Sequence, residues 1–588
     1  MSTIVESLTK DIVSRDLSAE GAALLNKWEK TGLLEGLDNE RTKNSMAVLL
    51  ENQAKQLLKE ASTMSGGDVE GFAAVAFPIV RRVFGGLIAN ELVSVQPMSL
   101  PSGLIFFLDF TFTNNKYTGA AAADNAFQAG TSVYGGGKVG KGIQTGVTLT
   151  GANAETGPYA LNNAYSQATG SFEGAVTTPT TNGLGAASDK ATVEASADAL
   201  KRIRYDVDLL SDLDVASSTI IEVVSTADAT TLLGDLNLDN LISVNASAIE
   251  GGGTLNGKVI RRLTEINSDD KLSLILFRSG GSVSDPTGLT GSYSRIDNAD
   301  ATSGVPGALT LDLFEEGAGD GTSFTETGLD GQNPTIAEID IKVDSVAVTA
   351  NTRKLKAKWS PELAQDLNAY HNLDAEVELT SILSEQVALE IDQEILNDLI
   401  QGATAGTKYW SRRPGKFVNR DTGAQVGATT SAPDFTGTVS EWYETLAETI
   451  NDVSAQIHRK TLRGGANFVV CSPEVANLLE FTAGFRATVN HEEMKGGQIG
   501  AVKVGAMSKK FDVYVDPYFP RNVVLVGRRG NSFLESGYVY APYVPLQVTP
   551  TIFGVEDFVP RKGVMTRYAK KMVRPDMYGL VICQDLIG

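Results

Sequence analysis

Residues 336–402 read IAEIDIKVDSVAVTANTRKLKAKWSPELAQDLNAYHNLDAEVELTSILSEQVALEIDQEILNDLIQG. Two periods meet in this stretch. Across 339–359, apolar residues alternate with polar ones: Ile339, Ile341, Val343, then Val346, Val348, then Leu355, Ala357, Trp359. That alternation predicts a half-buried strand. At Ser360-Pro361-Glu362 the period changes. Ser360 suits an N-cap, Pro361 the first helical position, and Glu362 the positive end of a helix. A short helix to Tyr370 is expected. Asp374 can cap a second helix, which runs to Gly402 without an internal Gly or Pro. Leu379, Leu383, Val387, Ile391, Ile395 and Leu399 recur every four residues; Ile382, Leu389 and Leu396 recur every seven. The spacing predicts a broad apolar face on a helix roughly 40 Å long. Glu376, Glu378, Glu385, Glu390 and Glu394 read as its solvated face. A long helix fed by a β-arm is a scaffold, and it carries no nucleophile or ligand set.

The rest of the chain bounds the function by exclusion. With 588 residues it needs two to four domains. Its 50 basic and 71 acidic residues leave a charge of -21, which argues against a surface built to grip phosphates. The two cysteines, Cys471 and Cys583, sit in apolar runs and read as small buried residues, which points to a reducing compartment. The three histidines are scattered, so no histidine metal site is expected. No apolar run reaches a membrane span, and the N-terminus lacks a secretory pattern.

Motif look-alikes fail on their own chemistry. Gly135–Lys141 and Gly252–Lys258 approach a phosphate loop but continue with Gly142 and Val259, where a hydroxyl must bind magnesium. Residues 235–246 begin like a calcium loop but carry Asn240 and Ala246 where Gly and Glu are needed. Asp366 and Asp374 fall on helical segments with no sign of convergence. No catalytic residue, cofactor or metal is expected.

The N-terminal residues 1–60 read as amphipathic helices, with one apolar patch ending at Trp28 and another from Met46 to Leu58, broken at Gly32 and Gly36. Such a hairpin needs the rest of the molecule to bury its face. Ser65-Gly66-Gly67-Asp68 reads as a linker. A helix from Pro78, a strand over 92–95 and an apolar strand over 104–108 follow. Arg81-Arg82 is either a solvated helix face or a subunit contact. Residues 113–335 are rich in Gly, Ala, Thr, Ser, Asn and Asp, with strand candidates at 218–225, 241–246, 258–263, 272–278 and 308–314. They read as an extended Gly-rich arm, then an inserted β-rich domain. The cluster Lys408, Arg412, Arg413 and Lys416, with Tyr409 and Trp410, could stack on nucleic acid. The acidic chain favours a subunit contact instead. Beyond it, 436–588 read as α/β, with a helix over 439–460 and a second helix opened by Ser472-Pro473-Glu474.

Several blocks resemble one family, in order. AVLLENQAKQLLKE and PIVRRVFGGLIANELVSVQPMSLPSG resemble the N-terminal region of major capsid proteins of T-even-type tailed phages. TANTRKLKAKWSPELAQDLNAYHNLDAEVELTSILSEQVALEID resembles that family's arm-to-spine transition. VYVDPYFP, VVLVGRRG, SGYVYAPYVPL and KGVMTRYAKKMV resemble its C-terminal signature. The resemblance implies an α+β, HK97-type phage capsid fold: an N-terminal arm, an extended β-loop, a peripheral domain with a long spine helix, and an axial domain. Mapped onto this chain it assigns 1–60 to a helical propeptide and 61–112 to the arm and the start of the peripheral domain. It assigns 113–199 to the extended loop, 200–335 to an inserted β-rich domain, and 336–402 to the returning strand and spine. Residues 403–545 become the axial domain, and 546–588 strands that return to the peripheral domain.

In function, the resemblance implies a subunit of hexameric capsomers in an icosahedral or prolate shell around dsDNA, with no sequence-specific DNA contact. Its implied partners are a vertex protein, a scaffold protein, a prohead protease, a portal and decoration proteins. The implied protease cuts after an apolar-x-Glu motif, and Leu58-Lys59-Glu60 before Ala61 fits. Asp68-Val69-Glu70-Gly71 fits only at Glu and Gly. Arg81, Arg82, Lys408, Arg412, Arg413 and Lys416 are the subunit-contact candidates. The alternatives are the vertex paralogue, an intracellular enzyme with an inserted β-domain, and a phage adhesin.

Overall fold

The four-residue period forms a helix from Ala375 to Gly402 in a computed structural model of the chain. Asp374 is extended, and its carboxylate accepts the Glu376 N–H at 2.9 Å. That bond satisfies one of the donors every helix start leaves open. Leu383, Val387, Ile391, Ile395, Leu396 and Leu399 are buried. The seven-residue series does not form a second buried stripe, because Ile382 is 57% exposed. Ser360 caps the preceding helix, Pro361–His371, by accepting the Leu363 N–H at 3.3 Å. That helix ends at Asn372 in the left-handed region, φ 53°, which Asn tolerates, and it buries no residue.

The structure describes residues 17–35, 40–61, 87–113, 170–179, 188–215, 218–228, 241–247, 257–279, 288–293, 338–427, 435–482, 484–487, 502–507, 510–530 and 535–586, with residues 77, 130, 132–133, 151 and 184. The chain divides into two compact units: Met1–Phe106 with Ser345–Gly588, and Phe107–Asp344.

The strand expected over 339–359 is two strands. Ile339–Thr349 pairs with Ser102–Phe112 in a two-stranded ribbon. Asn351–Lys358 joins a five-stranded sheet, antiparallel to Pro560–Met572. That strand pairs on its other side with Tyr538–Val548, whose outer edge is met in parallel by Ser94–Val95. Leu92, expected in this edge strand, instead ends the short helix Ala89–Leu92. The long helix packs on the sheet. Two N-terminal helices, Leu17–Glu29 and Glu40–Ala61, complete this core with Trp28, Met46, Leu49 and Leu50. Gly32 sits between them at φ +73°, the break its sequence position predicts.

A second, seven-stranded sheet has the order Thr407–Ser411, Tyr578–Gln584, Val523–Gly527, Phe468–Cys471, Phe511–Val515, Val502–Met507, Phe485–Ala487. The helix Val439–Thr461 lays Trp442, Leu446, Ile450, Val453 and Ile457 into its core. Thr438 and Glu441 form a reciprocal capping box at its start. The expected division at 545/546 does not hold. Tyr538–Val548 already lies in the five-stranded sheet, and Tyr578–Gln584 returns to the seven-stranded one. Its apolar run GLVIC suits a central strand, and it fills the place between Thr407–Ser411 and Val523–Gly527.

The second unit begins earlier than expected and contains helices. Gly170–Thr177, placed by sequence in the Gly-rich arm, pairs with Gly288–Tyr293 and Ser218–Ser225. The boundary at 199/200 falls inside the helix Ala197–Arg202. The sheet order is Leu241–Ser247, Gly288–Tyr293, Gly170–Thr177, Ser218–Ser225, Leu272–Ser279, Gly257–Val259. Three six-residue helices, Lys190–Ala195, Ala197–Arg202 and Val207–Asp212, pack on Ile220 and Ile275. Ile221, Val223, Leu274 and Leu276 form a second core with Val244 and Leu289. Adjacent residues of one strand feed opposite layers, as pleating dictates. The unit is thus an antiparallel, strand-rich sheet with three short helices that its sequence did not announce. The candidate strand over 258–263 is three residues long and turns into a 3-10 helix, Arg261–Leu263. The candidate at 308–314 lies outside the described residues.

Candidate functional site

The ribbon carries the most unusual surface. The Thr113 N–H donates to the Glu338 carbonyl at 3.0 Å, and the Ala350 N–H to the Pro101 carbonyl at 2.9 Å. The strands are thus antiparallel and advance equally between these bonds, 101 to 113 against 338 to 350. This register sets Leu108 opposite Val343 and Phe110 opposite Ile341. Leu104, Phe106 and Leu108 are 56%, 64% and 56% exposed, and Ile341 and Val343 are each 58% exposed. A two-stranded ribbon has no second layer against which to bury such a row. Asp109 on the opposite face is buried and accepts the Ser132 hydroxyl at 2.8 Å.

A second apolar surface lies in the first unit. Ile552, Phe553, Val555 and Phe558 are exposed around the turn joining the paired strands that end at Val548 and begin at Pro560. The Trp359 N–H donates to the Pro560 carbonyl at 3.3 Å, beside the start of Pro361–His371 with its exposed Leu363 and Tyr370.

The basic loop is largely satisfied within the chain. Lys408 pairs with Asp421. Lys416 Nζ donates to Asp585 at 2.7 Å, and Arg412 donates to the Leu586 carbonyl at 2.7 Å. The Ser411 hydroxyl also donates to Asp585, at 2.8 Å. The Lys416 bond, then that from Ser411, holds the Asp585 carboxyl below its ordinary range. Arg413 is exposed beside them. Trp410, a candidate stacking residue, is buried and donates to the Thr445 hydroxyl at 2.7 Å. Arg81 and Arg82 lie outside the described residues. The backbone at Glu60 and Ala61 is helical, at the end of Glu40–Ala61.

The acidic face of the long helix is not uniformly solvated. Glu376 accepts from Lys562 at 2.6 Å, and Lys570 donates to both Glu394 and Asp398 at 2.7 Å. Glu394 also pairs with Arg353 and accepts the Tyr568 hydroxyl. Asp398 accepts the Tyr538 hydroxyl at 2.7 Å. Burial opposes ionisation of Glu394, but the bonds from Lys570 and Tyr568 outweigh it and hold its carboxyl low. Asp392 has the opposite balance. Burial pushes it up to about 7, against hydrogen bonds from the Ile88 and Ala89 N–H groups. These pairs fasten the helix to Asn351–Lys358 and Pro560–Met572, which is a structural role.

Among the described residues no group of three His, Cys, Asp or Glu could hold a metal ion, and no helix is long and apolar enough to cross a membrane. Gly257 and Lys258, the end of one phosphate-loop look-alike, lie in a strand rather than before a helix. The other look-alike lies outside the described residues, as does the first half of the calcium-loop look-alike. Asp374 is a helix cap. Cys471 and Cys583 are buried, and burial pushes both thiols up to about 12. Such thiols are unreactive.

Comparison with known proteins gives these surfaces a context. The chain is 32% identical over 279 residues to the major capsid protein of Vibrio phage KVP40, covering 45% of this chain and 52% of that protein. It is 32% identical over 267 residues to the major capsid protein of Enterobacteria phage T4, covering 44% and 49%. To the capsid vertex protein of T4 it is 24% identical over 354 residues, covering 57% and 76%. The chain thus spans about half the length of the major capsid proteins it matches. Among solved structures, the capsid of Myoviridae phage XM1 aligns with a TM-score of 0.28 and 12% identity, covering 44% of this chain and 82% of that one. The capsid of cyanophage P-SCSP1u aligns at 0.27 and 11%, covering 46% and 80%. The family model described as Major capsid protein Gp23 matches residues 69–270 and 280–585, so the chain belongs to that family.

Proposed function

We propose that this chain is a shell-forming subunit of a tailed dsDNA phage head, structural rather than enzymatic, with an HK97-type arrangement. The observation that carries the reading is the ribbon. Its exposed row of Leu104, Phe106, Leu108, Ile341 and Val343 is stable only when a neighbour covers it. In this reading the ribbon is the extended loop and lies over an adjacent subunit in a hexameric capsomer. The long helix is the spine, and the seven-stranded sheet forms the axial domain. The second unit bridges subunits. The chain's partners are the vertex, scaffold, portal and decoration proteins of its head and a prohead protease. The net charge of -21 lets the shell enclose DNA without gripping it.

Two finer proposals attach to this reading. The protease cuts between Glu60 and Ala61, where the last helical turn must first unwind. Intact mass of subunits from mature particles tests this; a subunit retaining Met1 refutes it. Arg81, Arg82 and Arg413 are the cations offered to neighbours. Lys408, Arg412 and Lys416 mainly shape the loop that presents Arg413.

Assembly is tested by negative-stain microscopy of the protein expressed with its scaffold. Wild type should form shells or polyheads. Phe106→Ser with Leu108→Ser should leave the subunit folded but abolish shells. Wild-type monomers under these conditions, or normal shells from the double variant, refute the reading. Occupancy of the five-fold positions alone would mark the chain as the vertex paralogue.

A further inference from the structure

The two faces of the five-stranded sheet differ in charge. Pleating sends alternate residues of a strand to opposite faces. Arg353 on Asn351–Lys358, with Lys562 and Lys570 on Pro560–Met572, turns to the long helix and pairs with Glu394, Glu376 and Asp398. The intervening residues point the other way. On the first strand these are Lys354, Lys356 and Lys358, all exposed. On the second they include Arg561, Arg567 and Lys571. The register sets Lys358 opposite Arg561, Lys356 opposite Gly563 and Lys354 opposite Met565. Arg561 pairs with Asp557 at 2.6 Å. Arg567 lies over the Tyr543 ring, 5.3 Å from its centroid. Among the described residues, the other five cations of this face have no ion-pair partner.

Asn351–Lys358 is the outer strand of its sheet. Lysines on an edge strand can serve simply to keep copies from pairing edge to edge. That purpose accounts for three of the cations but not for Arg567 and Lys571, which sit on the next strand in. Along each strand such residues recur about every 6.6 Å, and neighbouring strands lie about 4.8 Å apart. A partner that met them with carboxylates would need a matching row. The exposed acids of the described surface supply none: on the ribbon Asp340 and Asp344 are interrupted by Lys342, and on the long helix the exposed Glu378 and Glu390 stand about 18 Å apart. A nucleic-acid backbone needs no register, because a duplex carries one charge per about 1.7 Å of its axis. Lysine, a compact charge on a flexible stem, meets phosphate without a fixed geometry.

We propose that this face of the sheet is a non-specific contact for the phosphate backbone of duplex DNA. The proposal rests on the reading that DNA is what the shell encloses. The net charge of -21 opposes DNA over the surface as a whole, so the contact is confined to this face and is weak. It touches the enclosed molecule without arresting it. Phosphate contacts carry no sequence information, so any duplex serves. Each cation that neutralises a phosphate releases counterions from the duplex, and affinity therefore falls steeply with salt. Five unpaired cations set a log–log slope of at most about -4.5.

The test titrates the full chain into a fluorescent random-sequence duplex of about 30 base pairs and follows anisotropy from about 50 to 200 mM NaCl. Wild type should bind at the low-salt end with a slope of about -4. Lys354→Gln, Lys356→Gln and Lys358→Gln together should weaken binding there by at least about tenfold and bring the slope to about -2. The same three positions changed to Arg should keep wild-type binding, which separates loss of charge from loss of fold. Arg412→Gln with Arg413→Gln, in the basic loop of the seven-stranded sheet, should change nothing. Wild type that does not bind at low salt overturns the proposal, as does a triple Gln variant that binds like wild type, or a loss that the Arg variant shares. Poly-glutamate binding as tightly as the duplex, at equal charge, would assign the face to an acidic protein instead and overturns it too. The titration needs no shell. Wild-type monomers in the microscopy would therefore refute the proposed function while this measurement still decides the face.

Discussion

Asp392→Asn should stabilise the first unit at neutral and alkaline pH and leave it nearly unchanged in acid. Asp392 lies on the long helix, facing the short helix Ala89–Leu92, and its Oδ2 accepts the Ile88 N–H at 3.4 Å. Its Oδ1 is buried without a hydrogen-bond partner, as is the hydroxyl of Tyr540, another group whose titration it affects. Burial, reinforced by the Asp516 carboxylate, raises the Asp392 carboxyl from its ordinary 3.8 to about 7. The folded chain therefore binds a proton that the unfolded chain has lost. Stability falls as pH rises between the two values and is level above the upper one. About 3 pH units at 1.36 kcal/mol each put the cost of the charged form on the order of 4 kcal/mol. Asparagine keeps the shape and one acceptor and carries no charge. Urea titrations of wild type and variant from pH 4 to 9 isolate this group together with its coupling to Asp516, because Asp576, another carboxyl pushed up by burial, contributes equally to both curves. The stability difference should be small at pH 4, grow by about 1.4 kcal/mol per unit, and level off above pH 7. A difference that stays constant from pH 5 to 8 would refute the assignment of a buried, protonated Asp392.

Three further substitutions test the helix and its fastening. Ile395→Ala, in the buried stripe, should cost about 2–5 kcal/mol in the same titrations, whereas Ile382→Ala on the same helix should cost less than about 0.5 kcal/mol. Glu394→Gln should cost about 1–3 kcal/mol at pH 7, since it removes the charge paired with Lys570 and Arg353 and one of the two acceptor oxygens that these cations and Tyr568 use. Because the Glu394 carboxyl is held low when folded, that deficit should be full above 4.5 and fade as pH drops through the folded value.

What could be read from the residues was what is local. The long helix was legible because its caps and its four-residue stripe lie within 374–402, and Ser472-Pro473 marked its helix for the same reason. The three short helices of the second unit were missed because six residues hold less than two turns, too few to show a period. Their one signal was at the caps. Asp189, Ser196 and Asp206 each accept the N–H of the third residue on. Gly170–Thr177 hid behind two glycines that weaken a strand's signature. No local rule separates Glu394 and Glu376, which are paired, from Glu378 and Glu390. Their partners Arg353, Lys562 and Lys570 come from distant strands.

The same distinction explains why the ribbon was recognised as a strand pattern but not as a surface. Alternation over Ile339, Ile341 and Val343 predicts one buried face. Among the described residues nothing buries it, since the paired strand brings a second exposed row at Leu104, Phe106 and Leu108. At about 25 cal/mol per Å² of apolar surface, rows of this size are costly to leave in water. The long helix, by contrast, is sealed to its sheet by apolar contacts and by ion pairs at both ends, Glu376 with Lys562 and Asp398 with Lys570. An intramolecular core completed in this way, beside a ribbon left uncovered, separates two tasks. The sheet and helix hold the core of the first unit together, while the ribbon's exposed rows are the surface that the proposed subunit contact would cover.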